Sequence, residues 1–266
     1  MFTRDVRSLE DIHQNYVARY GDRRHMDGQR VNATVNRQLL RQFVIELSGK
    51  SLLDVGSGYG LFLSEALEGG AQRVAGVEIS DAERSYSTQQ LQLETYSDFS
   101  QVRGDDQFDV VTLFEVIEHI AEPYEFIVSV ARHVRSGGSL IIGTDNFDAT
   151  VVKVLGDQFP KWIPHEHISL FTPNTLRSVV ESVAGLRIVG LRSFTPWELL
   201  AREFVFRATK GTRGGKKFSL QAEDAYGTGR RYKYFALRRA LNSVWFRLTS
   251  QENLSGEMMF VHALKA

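Results

Sequence analysis

The run Leu52-Leu53-Asp54-Val55-Gly56-Ser57-Gly58-Tyr59-Gly60 restricts what this chain can fold into more than any other stretch. It reads as a buried strand that runs into a glycine turn and then opens a helix. Gly56 and Gly58 can take positive φ and carry no side chain, so a ligand can approach the backbone and face the amides that start the next helix. A second apolar strand, Arg73-Val74-Ala75-Gly76-Val77, ends in Glu78. Nucleotide-binding βαβ units place a carboxylate for ribose hydroxyls about 20 residues beyond the glycines. The spacing argues against a dinucleotide. The pyrophosphate fingerprint is G-x-G-x-x-G, whereas this chain has G-x-G-x-G with Asp54 two residues before it.

Strand and helix signals alternate beyond that point. Helix patterns cover Gly60–Glu68, Ala82–Gln89, Pro123–Val134 and Pro173–Val183. Strand patterns cover Ser51–Val55, Arg73–Glu78, Phe108–Phe114, Ser139–Gly143 and Leu186–Arg192, with a weaker one near Leu91–Thr95. Gly137-Gly138 is read as the stop of the third of these helices. An earlier helix from about Val31 to Leu47 sets Leu39, Leu40, Phe43, Val44 and Leu47 on one face, with Gly49 as its stop. Repeated βαβα units imply a doubly wound, mostly parallel α/β sheet covered by helices on both faces. Ligands in such sheets sit at the carboxyl ends of the strands, where Gly56, Glu78, Glu115 and Asp145 fall.

The chain has no cysteine, which excludes disulfides and thiolate metal sites. It shows no signal-peptide core at Met1–Asp5 and no apolar run of the ~18 residues that span a bilayer. The formal net charge is zero, yet Arg202–Arg247 holds twelve Lys/Arg against three acids. That asymmetry marks the segment as different in kind from the rest.

The chain resembles the class I S-adenosylmethionine-dependent methyltransferases in three blocks: Asp54–Gly60, Glu78, and Phe108-Asp109-Val110-Val111-Thr112-Leu113-Phe114-Glu115-Val116-Ile117-Glu118-His119. The last block looks like that of the ubiquinone-biosynthesis-type subgroup. The resemblance implies a Rossmann-like seven-stranded sheet whose last strand, in Gly256–Leu264, inserts antiparallel. It implies a helical lid over residues 1–48, a core of residues 49–193 plus 255–266, and a helical insertion at 194–254. It implies S-adenosyl-L-methionine as cofactor, held by Asp54, Gly56, Ser57, Gly58, Gly60, Glu78, Ile79, Asp98, Phe99, Phe114 and Glu115. Asp98-Phe99 stands close to where the family has an acid for the adenine amino group with an apolar neighbour.

Methyl transfer from a sulfonium is an in-line displacement, and a hydroxyl acceptor needs a base to take its proton. The richest segment for that chemistry is Pro164-His165-Glu166-His167-Ile168-Ser169-Leu170-Phe171-Thr172, and the resembled subgroup carries a similar His-rich loop. His167 and His165 share a face if extended, and His119 is the third candidate. Glu115 and Asp145 offer oxygens that would suit Mg²⁺, but strand-end acids are common and no metal site is assigned.

Arg230–Thr249 reads as a basic helix with Tyr234, Leu237, Leu241, Val244, Trp245 and Leu248 on one stripe. That stripe can pack on the core or a second copy, or meet a membrane surface peripherally; nucleic acid has little further support. Arg23, Arg24, His25, Tyr16 and Tyr20 are candidate lid residues, with Arg24 or Arg30 available to an anionic acceptor. The expectation is a cytoplasmic methyltransferase, peripheral at the inner membrane face if the stripe is used that way. Its acceptor would be a small-molecule hydroxyl on a glycan precursor, a quinone or a natural product. N-methylation of an amine or amino sugar, and a non-catalytic cofactor-binding regulator, are the alternatives.

Overall fold

A computed structural model describes residues 23–163, 166–209 and 235–266. The first helix, α1 (Arg23–Gln42), is followed by β1 (Ser51–Val55), α2 (Leu61–Glu68), β2 (Arg73–Val77), α3 (Asp81–Gln89), β3 (Glu94–Tyr96) and β4 (Phe108–Phe114). Then come α4 (Pro123–Arg132), β5 (Val134–Asp145), α5 (Thr150–Leu155), α6 (Pro173–Glu181), β6 (Leu186–Phe194), α7 (Trp197–Thr209), α8 (Phe235–Thr249) and β7 (Met258–Lys265).

The seven strands form one sheet in the order β3-β2-β1-β4-β5-β7-β6. β1 pairs in parallel with β2 and β4, and β4 with β5. β7 runs antiparallel between β5 and β6. The order reverses between β1 and β4, so the crevice at their carboxyl ends is the natural ligand position.

Alternation along β1 explains the two packed layers. Leu53 and Val55 face a core completed by Ile127 and Val130 of α4 and Leu176 and Val180 of α6. Leu52 faces the other layer, with Leu39 and Leu40 of α1, Phe62 and Leu63 of α2, and Phe246 of α8. A smaller apolar cluster, from Ala149 through Val152, Leu155 and Phe159 to Leu199, joins α5 and α7 above the strand ends.

Two sequence expectations need correcting. α1 runs Arg23–Gln42, so Val44 falls past its end at φ 59° and is 83% exposed instead of lying on the core face. Gly137-Gly138 does not stop a helix. α4 ends at Arg132, and the glycines lie inside β5, in a stretch where the pairing with β4 jumps from Phe108–Val134 to Val110–Ser139. The short helix α5 carries too brief a pattern to read. Of the α8 stripe, Leu237, Leu241, Val244 and Leu248 are exposed, whereas Trp245 is half-buried against the core and donates to the Thr195 carbonyl at 2.9 Å; Phe246 and Asn242 turn inward. Tyr234, Arg231, Tyr16 and Tyr20 lie outside the described residues, as do the side chains of Arg23, Arg24 and Arg238. No helix among the described residues is long and apolar enough to cross a membrane.

Candidate active site

The glycine turn leaves β1 with Gly56 at φ 80°, Gly58 at φ 53° and Gly60 at φ 74°. Gly56 must be glycine on two counts. Its backbone is left-handed, and an added Cβ would stand 2.3 Å from Val116 Cγ2. The amides of Gly56 and Ser57 both donate to the Val77 carbonyl, at 2.8 and 3.0 Å, which ties the turn to the end of β2.

Glu78 follows directly, buried, with one carboxyl oxygen accepting from the Gly58 amide at 2.8 Å and the other from the Ser80 amide at 2.7 Å. Burial and the nearby Glu83 push its pKa up to about 7, against those two amides. Each oxygen keeps a second lone pair, so the carboxylate can still accept two hydroxyls. Asp54 is buried in the sheet and accepts from the Thr112 hydroxyl at 2.6 Å; burial pushes it up to about 7 as well. The Ser57 hydroxyl is buried without a partner.

Gln29, on α1, was not legible as a site residue. It accepts from the Tyr59 amide at 2.9 Å and donates to the buried Glu83 at 2.7 Å, while His25 stands 3.1 Å from Glu83. A side chain from the first helix therefore covers the glycine turn directly. Ile79 is exposed beside Glu78. Asp98 is exposed and accepts from the Ser100 amide at 2.7 Å, and the Ser100 hydroxyl together with that amide lowers its pKa. Phe99 turns inward onto Phe126 and His133. Phe114 packs edge-on against Phe62 and lies near Phe260.

The carboxyl ends of β4 and β5 and the start of β7 converge on Lys161. Its ammonium donates to Glu115 at 3.1 Å and to Asp145, and stands 3.3 Å from Glu257. Burial works against that charge, but Asp145, Glu257 and Glu115 together hold the Lys161 pKa well up. The lysine in turn lowers Glu115, whose backbone sits at φ 56° and whose second oxygen accepts from Asn32 of α1. Glu257 is fully buried, and burial pushes it up to about 8. Glu118, buried and hydrogen-bonded by Thr144, is likewise raised by burial. Glu115 and Asp145, the acids whose oxygens would suit Mg²⁺, are thus bridged by a lysine.

Beside this network the rings of His119 and His167 meet edge-on with centroids 4.9 Å apart. His119 Nδ1 donates to the Glu166 carbonyl at 2.8 Å, which sets its tautomer. Burial lowers both rings; for His167, burial together with His119 and Lys161 brings the pKa to about 3. Glu118, His119 and His167 also bring one ligand atom each within 4.8 Å of one another, donor types that could hold a cation. His165 lies outside the described residues.

A reversed seventh strand between β5 and β6, a glycine turn at the end of β1 and a buried acid at the end of β2 are the architecture of the class I methyltransferases. The family described as "Methyltransferase domain" matches residues 23–191, and the chain belongs to it: it is an S-adenosylmethionine-dependent methyltransferase. It is 32% identical over 161 residues to a ubiquinone biosynthesis O-methyltransferase of Coxiella burnetii (strain RSA 493 / Nine Mile phase I), covering 55% of this chain and 68% of that one. Its identity to the protein of the same name in Pseudomonas entomophila is 31% over 166 residues, 57% and 70% of the two chains. Among solved structures, a SAM-dependent methyltransferase from Archaeoglobus fulgidus aligns with TM-score 0.52 and 16% identity over 88% of this chain and 94% of that one. Phosphoethanolamine N-methyltransferase 2 of Haemonchus contortus, solved in complex with S-adenosyl-L-methionine, aligns with TM-score 0.56 and 16% identity over 86% and 52%. The residues present suit this cofactor: Glu78 is fixed by two amides with lone pairs to spare, and Ser57 holds an unpartnered hydroxyl in the turn.

Proposed function

We propose that this enzyme O-methylates a small-molecule hydroxyl, with Glu78 and the Asp54–Gly60 turn holding the cofactor and His167 acting as general base. The observation that carries the reading is the histidine pair, buried His167 and half-buried His119, packed edge-on at the strand ends beside Glu115. When bound, S-adenosylmethionine supplies an electrophilic methyl carbon whose C–S bond breaks with the electron pair left on sulfur. The chain's task is to align the acceptor and remove its proton. A ring with pKa about 3 is neutral throughout the physiological range and always offers a lone pair. It takes the proton only as the new C–O bond forms, when the hydroxyl has become strongly acidic. The printed name of the Coxiella and Pseudomonas relatives, an O-methyltransferase, supports a hydroxyl acceptor.

A second reading rests on the buried carboxyl cluster of Glu118, Asp145 and Glu257 beside the part-exposed Glu115, whose negative field would suit an amine acceptor, and a phosphoethanolamine N-methyltransferase is among the structural neighbours. Transfer of a labelled methyl group to matched panels of phenols, sugar hydroxyls and amines separates the two. The expected outcome is turnover of a hydroxyl acceptor, reduced about 10²–10⁴-fold in His167→Ala. Turnover of amines alone, undiminished in that variant, would favour the second reading.

The exposed stripe Leu237, Leu241, Val244 and Leu248 on α8, with Phe204 of α7 73% exposed, supports a further assignment. The sequence of Arg202–Arg247 is basic, and we infer that this face meets an anionic membrane surface.

A further inference from the structure

Asp145 ends β5 fully buried, and its two oxygens have different surroundings. Oδ1 accepts from Lys161 Nζ. Oδ2 has no hydrogen-bond partner and lies 3.7 Å from His167 Nδ1, which has none either. Each such buried polar atom is worth about 1–3 kcal/mol when unsatisfied, and native proteins leave few of them. An approach of less than about 1 Å would bring these two into hydrogen-bond range.

Resting on the reading of His167 as base, we propose that Asp145 is its positioning residue and that Lys161 keeps Asp145 fit for the task. The carboxylate holds the ring proton on Nδ1 and leaves the Nε2 lone pair for the acceptor. As the acceptor oxygen bonds to the methyl carbon, its proton passes to Nε2, and the imidazolium so formed lies against the Asp145 carboxylate. This is the division of labour between base and orienting acid in hydrolase triads. Burial and the nearby Glu115 raise Asp145, and Lys161, which donates to Oδ1, is the cation that works against them. His119 packs edge-on against the His167 ring, and Lys161 also turns its backbone carbonyl toward it. Lys161 and Asp145 are 16 residues apart, and His167 stands on the same loop as the lysine, so the chain brings all three together over one short excursion.

Histidine ¹⁵N NMR on the ligand-free chain reads the tautomer directly, with the His167 signals assigned by their loss in His167→Gln. The expected wild-type form is Nδ1–H. Asp145→Asn is isosteric: its oxygen stays with Lys161 and its NH₂ donates to His167 Nδ1, which moves the ring proton to Nε2. With hydroxyl acceptor and cofactor, that variant should lose about 10²–10⁴-fold in kcat while KM changes by less than about threefold. Lys161→Gln is the second variant: a neutral amide lets Asp145 keep a proton, and the same tautomer change is expected. A wild-type His167 carrying its proton on Nε2, directed at the Lys161 carbonyl, would overturn the proposal, as would an unchanged tautomer in both variants. If His167→Ala stays active while the tautomer still switches, the base reading fails and the Asp145–His167 pairing stands.

Discussion

Glu78 accepts from the Gly58 and Ser80 amides, so deleting its carboxyl would remove the brace of the glycine turn and, with it, the ribose contact proposed above. Glu78→Ala should weaken S-adenosylmethionine binding by about 1.5–3 kcal/mol, read by calorimetry. Unchanged affinity would take Glu78 out of the site. This residue was legible because its distance from the glycines is set by one βαβ unit. Lys161 was not. Its partners Glu115 and Asp145 are 46 and 16 residues away, Glu257 comes just before β7, and only the sheet brings them together. Glu257 did leave one trace, a lone acid opening an otherwise apolar final strand. Gln29 left none, because a glutamine in a charged helix looks solvated until the helix is laid over the glycine turn.

At the scale of elements, hydrophobic periodicity located the strands that carry the site and misjudged what bounds them. Gly137-Gly138 has the composition of a helix stop, but a Cβ on Gly138 would come within 3.0 Å of the Asp109 carbonyl, so close strand approach sets its identity. Gly256 is more demanding. An added Cβ there would stand 2.6 Å from three backbone atoms of Phe194, and backbone at a strand end cannot step aside. Gly256→Ala should therefore destabilise the enzyme by about 1–3 kcal/mol in denaturant titration. Arg239 shows why the stripe of α8 points outward. It donates to Thr34 of α1 and Glu65 of α2, fixing the opposite face of α8 to the core together with Phe246. Leu241→Glu with Leu248→Glu should abolish co-sedimentation with phosphatidylglycerol vesicles while leaving the melting temperature within about 2 °C. Equal binding by the variant, or binding to phosphatidylcholine alone, would refute an anionic membrane surface as the occupant.

For the molecule as a whole, the buried carboxyls make stability depend on pH in a direction opposite to that of exposed ion pairs. Asp54 and Glu78 rise from 3.8 and 4.5 to about 7, and Glu257 from 4.5 to about 8. Between those limits the folded chain holds more protons than the unfolded one, so unfolding free energy falls as pH rises. Their contribution is full near pH 4 and is lost as pH passes through about 7 and then about 8. The ligand-free enzyme should melt higher at pH 6 than at pH 8.5. Asp54→Asn, which keeps an acceptor for Thr112, should recover part of the loss at pH 8.5, with a ceiling of about 4 kcal/mol for that shift. A flat melting profile in this range would contradict the assignment. The antiparallel β7 carries a different consequence, one of timing. It fills the slot between β5 and β6, yet it is made after every other strand. Until residue 265 has left the ribosome, β5 presents an open edge and β6 has no strand to pair with. A growing chain would thus carry a finished cofactor turn long before it has a finished enzyme, and would need shielding from neighbouring nascent strands in the interval.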